Sequence, residues 1–212
     1  MHILLEKLIA NYPDLKTTAS QIEEAFELWK NSFANGHKTL VCGNGGSAAD
    51  SEHIVGELMK GFMLKRSLPP KEQAQLVNEY GEIGAYLGKH LQGALPAISL
   101  VSQTSLITAF ANDVAADLVF AQQVYGYGQP GDVLVGLSTS GNSANVLHAM
   151  RVAKTKGMAT IGFTGRDGGT MKELCDVVIP VPYSSTPDIQ ERHLAVYHTL
   201  CAMLEAEFFG RS

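Results

Sequence analysis

Five short apolar runs are spaced along the chain, and each of the first four is followed by a glycine- or hydroxyl-rich turn and a helical stretch. The runs cover residues 38–42, 97–101, 132–137, 160–163 and 177–181. Strands that alternate with helices, with no room for tight hairpins, are typical of a parallel sheet covered on both faces. The crossovers in such a sheet are right-handed. The pattern therefore predicts an α/β domain built on a five-stranded parallel sheet.

Helical periodicity precedes, interrupts and closes this series of strands. Residues 1–37 are predicted to be a helical segment, because apolar side chains recur there every three or four residues: Ile22, Ala25, Phe26, Trp29 and Phe33. The stretch 188–209 has the same periodicity and predicts a long C-terminal helix. Residues 68–95 are too many for an ordinary connection, so we expect an inserted helix or lid there.

Length, composition and charge narrow the possible functions. A chain of 212 residues, 45% apolar and 17% charged, is long enough for one globular domain, which we expect to cover residues 1–212. The formal charge of −5 argues against nucleic acid as the main ligand. Three cysteines without a CxxC pair indicate free thiols in a reducing compartment. We find no secretory leader or uninterrupted apolar stretch of membrane-spanning length, and expect a soluble cytoplasmic protein.

The turn Ser138-Thr139-Ser140-Gly141-Asn142-Ser143 follows the third apolar run and precedes a helical stretch. Its four hydroxyls and its glycine place hydrogen-bond donors at the positive end of a helix dipole, which can bind phosphate without a lysine. The alternative is a cluster of helix N-caps. Because one hydroxyl suffices for a cap, the pattern favours phosphate binding.

A second glycine-rich turn, Gly43-Asn44-Gly45-Gly46-Ser47, stands between the first strand and its helix. It fits the dinucleotide fingerprint only loosely, since the acidic residue expected after a second strand is missing. A purely structural tight turn is the other alternative. Glycines nevertheless let backbone N–H groups approach an anion, and Asn44 and Ser47 add side-chain donors. Both turns follow parallel strands, so we expect them to face one crevice.

Four side chains with acid–base or metal-binding chemistry lie outside the two turns: His53, Glu57, Gln190 and His198. His53 and Glu57 project from one face of a predicted helix, although a surface hydrogen bond is the commoner reason for such a pair. A single histidine on the closing helix is usually buried or capping. Gln190 and His198 would lie about 12 Å apart along a continuous helix. Either Gln190 precedes that helix or another subunit completes the site, and we favour a site shared between subunits.

Taken in order, these motifs resemble the bacterial phosphoheptose isomerase family, whose members have the SIS (sugar isomerase) fold. The resemblance begins with the run from Gly43 to Asp50 and its downstream His53 and Glu57, and extends over nearly the whole chain apart from residues 68–95. The later motifs are Asn112-Asp113, the turn 138–143, Thr164-Gly165-Arg166-Asp167-Gly168-Gly169, Ile189-Gln190-Glu191 and His198. The resemblance implies a three-layer α/β sandwich and a homotetramer with active sites between subunits. It also implies the conversion of sedoheptulose 7-phosphate to D-glycero-D-manno-heptose 7-phosphate.

Carried over position by position, the resemblance implies a role for each site residue. The phosphate would be held by Ser138, Thr139, Ser140 and Ser143, with Asn44 and Ser47 nearby. Asp113 would contact the sugar, and Gly45 and Gln190 would also bind the substrate. The acid–base pair would be Glu57 and His198. One zinc ion per site would be bound by His53, Glu57, Gln190 and His198.

These residue types suit an isomerisation in which a proton leaves the carbon beside a carbonyl and returns to its neighbour through an enediol. A buried glutamate is a suitable base and a histidine a suitable acid near neutral pH, and zinc would polarise the carbonyl. Coordination favours the ionised form of Glu57 and would weaken it as a base. Two departures concern the choice of sugar: Lys60 stands near a position where an arginine is common, and Asp188 is displaced by one from the usual acidic position.

Other functions compete with this one. A non-catalytic SIS protein, similar to the factor that associates with the bacterial replication initiator, would keep the hydroxyl-rich turn and lose catalytic side chains. This chain keeps both Glu57 and His198, which favours the enzyme. An isomerase of another sugar phosphate would use the same residues. A phosphosugar-sensing regulator is disfavoured, since the sequence contains no DNA-binding module.

Overall fold

A computed structural model describes residues 2–210 of the protein. A parallel five-stranded sheet forms its centre. The strands are β1 (Thr39–Gly43), β2 (Ala97–Ser99), β3 (Val133–Leu137), β4 (Ala159–Thr164) and β5 (Val177–Pro180). Their order is β2-β1-β3-β4-β5, and Thr39 is in register with both Ala97 and Val133. Each strand lies within two residues of its predicted bounds, which confirms the predicted sheet.

Helices connect the strands and extend beyond them at both ends. Those of the described residues are α1 (Ile3–Asn11), α2 (Ala19–Ala34), α3 (Gly46–Met59), α4 (Pro70–His90), α5 (Thr104–Phe110), α6 (Val119–Tyr127), α7 (Ala144–Thr155), α8 (Met171–Leu174) and α9 (Thr186–Phe209). A 3₁₀ turn, Pro13–Thr18, joins α1 to α2. The long closing helix α9 begins two residues before its predicted start.

Helices cover both faces of the sheet. Leu40 and Leu134 point to one face, where they pack with residues of α6 and α7. Val41 and Val135 point to the other face, where they pack with residues of α1, α2, α3 and α9. Because successive residues of a strand face opposite sides, a strand buried on both sides must be continuously apolar. The predicted three-layer sandwich is therefore confirmed.

Helix α4 makes few contacts with the sandwich and folds back on itself. At Gly81 the backbone adopts φ 57° and ψ −125°, which interrupts the helix. Beyond that turn, Gly84 lies so close to Leu76 that an added Cβ would come within 1.8 Å of the Leu76 carbonyl oxygen. The two residues would be about 12 Å apart in a straight helix. The segment expected as an insertion at residues 68–95 thus contains a helical hairpin.

Residues 104–127 form an interrupted helical stretch with much exposed apolar surface. A π-helical turn (Ala111–Ala115) and a 3₁₀ turn (Ala116–Leu118) separate α5 from α6. The most apolar 18-residue window of this stretch has a mean hydropathy of 1.2, which with the length of the stretch would suffice for a membrane span, and 17% of that window is buried. Ala115, however, has an extended backbone (φ −161°, ψ 118°), and such a break leaves backbone groups unpaired in lipid. The stretch is therefore an exposed apolar surface that is interrupted as a helix.

Candidate active site

A cavity of about 300 Å³ lies where the two predicted binding turns meet. The turns follow β1 and β3, which are neighbours in the sheet although β2 comes between them in the sequence. The strand order reverses there, and ligands of open parallel sheets bind at such switch points. The cavity is lined by Asn44, Gly45, Gly46, Ser47, Leu137, Ser138, Thr139, Ser143, Thr186 and Gln190.

The hydroxyls of the turn 138–143 contact one another instead of capping α7. Ser143 occupies the N-cap position but makes no side-chain cap hydrogen bond. Its Oγ lies 2.9 Å from the Oγ of Ser138, which is 3.5 Å from the Oγ of Ser140. The N-cap alternative therefore does not account for these side chains. Among the described residues neither lysine nor arginine lines the cavity, so an anion there would be held by neutral donors and helix dipoles.

Gly141 gives this turn its tight path. Its φ is 66°, and an added Cβ would lie 2.1 Å from the carbonyl oxygen of Gly168 in the loop after β4. The backbone N–H of Gly141 donates to the carbonyl of Ser138 at 2.9 Å. A larger residue would force the turn away from its neighbour and open the wall of the cavity.

Two side-chain amides brace the first turn. Asn44 forms a reciprocal amide pair with Asn145 of α7, with both N···O distances at 2.9 Å, so the turn after β1 is joined directly to the start of α7. The amide of Gln190 lies so close to Gly46 that an added Cβ there would meet it at 2.5 Å. Gln190 is the fifth residue of α9, which excludes the alternative that it precedes this helix.

His53, Glu57 and His198 form an acid–base cluster near the C-terminal end of α3. The Nε2 atom of His53 is 3.2 Å from Oε1 of Glu57 and 3.3 Å from Nε2 of His198. Lys60 Nζ lies 3.2 Å from the second carboxylate oxygen of Glu57. Glu57 is buried, whereas the His53 side chain is 43% exposed. The packing of α3 against α9 creates the cluster from residues far apart in the sequence.

The surroundings of His198 lower its pKa below the ordinary value for histidine. Burial is the largest cause and the neighbouring His53 adds to it, while Glu57 acts in the opposite direction. The side chain is therefore mostly neutral at pH 7. In that form it carries a proton on one ring nitrogen and a lone pair on the other.

A buried tyrosine connects the cluster to a further carboxylate. Tyr197 is fully buried, and its hydroxyl oxygen lies 3.1 Å from Oδ1 of Asp50 and 3.0 Å from Nδ1 of His53. Burial raises the pKa of the Asp50 carboxyl and that of the Tyr197 hydroxyl. The phenol therefore keeps its proton, which it can donate to Asp50.

The cavity and the cluster are separated along the α3–α9 pair, the cavity at the start of both helices and the cluster near the end of α3 and the middle of α9. Ser47 lines the cavity near the start of α3, and Glu57 follows ten residues later, about 15 Å along a straight helix. On α9, Gln190 contacts the first turn, and His198 follows eight residues later, about 12 Å along the axis. This separation suits groups that act on the two ends of an extended substrate.

Two predicted site residues lie outside both groups. Asp113 is exposed on the π-helical turn, where it accepts a hydrogen bond from Asn112. Ser140 is exposed beside the hydroxyl of Ser138 and lines a neighbouring cavity with Arg166. Asp188 is exposed in the first turn of α9 and does not line the cavity.

Sequence analysis did not identify Asp50, Tyr197 or Asn145 as site residues. Asp50 stands three residues from both Ser47 and His53, so helical spacing could have placed it on their side of α3. Tyr197 belongs to the apolar stripe of α9, so its position in the sequence indicates a core residue and not one whose hydroxyl forms hydrogen bonds. Nothing local points to Asn145, because its partner is 101 residues away.

The sequence is similar to one group of proteins over most of its length. A family model described as SIS domain matches residues 6–85 and 80–165. A phosphoheptose isomerase of Burkholderia pseudomallei (strain K96243) is 43% identical over 180 residues, which are 85% of this chain and 78% of that protein. The phosphoheptose isomerase of Akkermansia muciniphila is 39% identical over 200 residues, 94% of this chain and 92% of that protein.

Solved structures extend the similarity to the fold. The phosphoheptose isomerase of Neisseria gonorrhoeae is 33% identical with a TM-score of 0.69, over 94% of this chain and 98% of that one. A phosphoheptose isomerase from Francisella tularensis is 29% identical with a TM-score of 0.75, over 94% and 93% of the two chains. Sequence and fold thus agree over nearly the whole chain.

Proposed function

This chain belongs to the SIS-domain family of phosphoheptose isomerases, and we propose how its own residues carry out the reaction and complete the site. The enzyme is an aldose–ketose isomerase that interconverts sedoheptulose 7-phosphate and D-glycero-D-manno-heptose 7-phosphate. The carbonyl moves between C2 and C1 through an enediol, while the phosphate stays on C7. The site must therefore hold one end of the substrate and move a proton at the other.

One observation supports this division of labour most directly: the neutral-donor cavity and the acid–base cluster are separated along the α3–α9 pair by about 12 to 15 Å of helix. In our proposal the turn 138–143 holds the phosphate through Ser138, Thr139 and Ser143, with Ser140 at its edge. Asn44, Gly45, Ser47 and Gln190 form the opposite wall of the cavity. The substrate then extends from the phosphate toward Glu57.

We assign the proton transfers to Glu57 and His198. Glu57 removes the proton from C1 of the ketose and returns it to C2, and its burial excludes water that would compete for that proton. His198 gives a proton to the C2 carbonyl oxygen and takes up the proton that the C1 hydroxyl loses. Its lowered pKa means that the imidazolium, once formed, gives up its proton readily.

We propose that the cluster also binds one zinc ion per site. The two distances from His53 Nε2, 3.2 and 3.3 Å, match the edges of a tetrahedron whose metal–ligand distances are about 2.0–2.1 Å. Among the described residues, however, no group of three or more His, Cys, Asp or Glu side chains is placed so that it could hold a metal ion, and Gln190 lies at the cavity end. The spacings of His53 from Glu57 and from His198 support the proposal, and a complete site would need these side chains to turn toward one ion and a fourth ligand to come from elsewhere. When bound, zinc would polarise the substrate carbonyl.

We further propose a homotetramer in which the active sites lie between subunits. Apolar side chains are exposed on α4 and on residues 104–118: Val77, Tyr80, Ile83, Tyr86, Leu106 and Val114. Clustered exposed apolar side chains mark protein interfaces. The exposed edge of the cluster at His53 also needs a cover, because an enediol must be protected from water. A second subunit over this edge would supply that cover.

We place the enzyme in the cytoplasm. Its three cysteines, Cys42, Cys175 and Cys201, are all free. Burial raises the pKa of each thiol, to about 12 for Cys42 and Cys175, so they carry no reactive thiolate. Free, unreactive thiols are typical of proteins in a reducing compartment.

Replacing Glu57 with glutamine tests the catalytic assignment. We expect Glu57→Gln to lower kcat about 100- to 10,000-fold, because it removes the proton-accepting group and keeps its shape. Binding of sedoheptulose 7-phosphate should persist, since the cavity is unchanged. The measurements are a coupled isomerase assay and calorimetric titration, run across ketose phosphates of five to seven carbons.

The matched control is Glu52→Gln, the same change on an exposed residue of α3 that hydrogen-bonds Ser102. It should retain wild-type turnover. Full-rate turnover by Glu57→Gln would contradict the base assignment. Binding without turnover by the wild-type protein across the whole panel would instead support a non-catalytic phosphosugar-binding protein.

A further inference from the structure

A series of hydrogen bonds connects Asp50 and Tyr197 to His53 of the acid–base cluster. Tyr197 is completely buried between α3 and α9, and its single hydroxyl contacts both Oδ1 of Asp50 and Nδ1 of His53. Its ring also packs edge-on against the rings of His53 and His198, with centroid distances of 5.5 and 5.1 Å. The aromatic ring accounts for the packing, but the hydroxyl needs a separate explanation.

When Asp50 is ionised and His53 is neutral, only one arrangement of protons satisfies both hydrogen bonds of the Tyr197 hydroxyl. A carboxylate can only accept, so the Tyr197 hydroxyl donates its one proton to Asp50. The hydroxyl oxygen must then accept from Nδ1–H of His53. A neutral imidazole with its proton on Nδ1 has a lone pair on Nε2.

That lone pair points into the acid–base cluster. Nε2 of His53 is 3.2 Å from a carboxylate oxygen of Glu57, which also offers only lone pairs, and 3.3 Å from Nε2 of His198. Two facing acceptors need a cation or an N–H donor between them. In the opposite tautomer, Nε2–H of His53 would donate to Glu57. This hydrogen bond would occupy a lone pair that Glu57 needs as a base, and Nε2 could no longer bind a metal ion.

We infer that Tyr197 and Asp50 are positioning residues that hold His53 as its Nδ1–H tautomer, so that its Nε2 lone pair stays available beside Glu57 and His198. The inference rests on the proposed function of that cluster. Half-buried Asp50 supports it, since its Oδ2 atom is buried without a hydrogen-bond partner among the described residues. Burying a half-satisfied carboxylate is unfavourable, so packing alone gives no reason for an acid at this position.

The test is the tautomer itself, read by long-range ¹H–¹⁵N NMR on histidine-labelled protein treated with a chelator. The spectra are recorded at a pH well above the ordinary histidine pKa of about 6.5, and His53→Gln identifies the resonance. In the wild type we expect His53 as the Nδ1–H form. Tyr197→Phe removes only the hydroxyl and should shift His53 largely to the Nε2–H form. Asp50→Asn, which frees the hydroxyl to donate to His53, should shift it in the same direction.

The matched control is Tyr183→Phe, which removes a tyrosine hydroxyl that accepts from Arg192 at 3.2 Å and should leave the His53 tautomer unchanged. Zinc affinity by chelator competition is the second measurement. We expect a loss of about tenfold or more in Tyr197→Phe and none in the control. An Nε2–H tautomer in the wild type, or no change in Tyr197→Phe, would overturn the inference. Because the spectra need neither zinc nor substrate, this result is independent of whether the protein isomerises a heptose phosphate.

Discussion

The histidines of α9 show how strongly the role of a residue depends on its surroundings. His193 and His198 are five residues apart on one helix. The first is completely buried, with Nε2 3.1 Å from the carbonyl oxygen of Thr164, while the second faces the acid–base cluster. Residue type and helical spacing do not distinguish them. What distinguishes them is the burial of each side chain and the partner that it contacts in the fold.

The buried His193 predicts a component of acid sensitivity that is separate from catalysis. Burial lowers its pKa to about 4, so the folded protein holds it neutral where an unfolded chain would protonate it. Stability from this group is complete above pH 6.5 and is lost as the pH falls toward 4. The loss reaches about 3 kcal/mol of unfolding free energy by pH 4.

Urea unfolding between pH 7 and pH 4, at a fixed protein concentration, checks this expectation. His193→Gln keeps a donor for the Thr164 carbonyl and has no ionisable group. Between pH 7 and pH 4, its unfolding free energy should fall by about 3 kcal/mol less than that of the wild type. Parallel pH profiles for the two proteins would contradict the assignment.

At the scale of elements, the position of Glu57 depends on how the C-terminal end of α3 is attached to α9. Glu205 accepts hydrogen bonds from the side chain of Arg66 at 2.8 Å and from three backbone amides of the intervening loop, those of Phe62, Met63 and Leu64. Arg66 donates in turn to the carbonyls of Leu58 and Glu57, the last turn of α3. This fully buried pair fixes the helix that carries Glu57 to the helix that carries His198.

Replacing Glu205 should therefore destabilise the protein strongly. Glu205→Gln leaves the buried Arg66 charge without its counter-ion, and we expect a loss of about 3 kcal/mol in unfolding free energy. Glu207→Gln makes the same change on an exposed residue of the same helix, and its effect should stay within about 0.5 kcal/mol. Denaturant unfolding of both variants measures the difference. Equal effects would show that the buried pair contributes no more than a surface charge.

The elements also show what could be predicted from the sequence. The strands were predictable because a strand that is buried on both faces is a continuous apolar run. The two binding turns were predictable because glycine and hydroxyl residues concentrate at the ends of β1 and β3. The hairpin of α4 was not, because its reversal at Gly81 depends on the close approach of Gly84 to Leu76. Asp50 and Tyr197 were missed for a similar reason: their hydrogen bonds arise only once α3 and α9 have packed together.

At the scale of the whole molecule, the separation of cavity and cluster within one chain leads to a complementation experiment. One variant, Ser138→Ala with Ser143→Ala, impairs the phosphate-binding turn, and the other, Glu57→Gln, removes the base. Each should be inactive alone. If the turn of one subunit works with Glu57 of another, mixed oligomers will contain intact sites and regain turnover.

The experiment needs proof that the subunits mix. Differently tagged variants, co-expressed and purified through both tags, provide it, and light scattering gives the number of subunits. Co-expressed wild-type subunits carrying the same two tags are the control for full activity. Inactive mixed oligomers would place the cavity and the base of each site in one chain.

The exposed apolar side chains of α4 and of residues 104–118 have a thermodynamic consequence. A protomer that exposes Tyr80, Ile83 and Val114 to water lacks the burial that its partners would supply in the proposed tetramer. If that tetramer forms, its unfolding equilibrium contains a concentration term, and the melting temperature should rise with the amount of protein in solution. Dilution would then be a denaturing condition, and the cellular abundance of the enzyme would be one of the determinants of its fold stability.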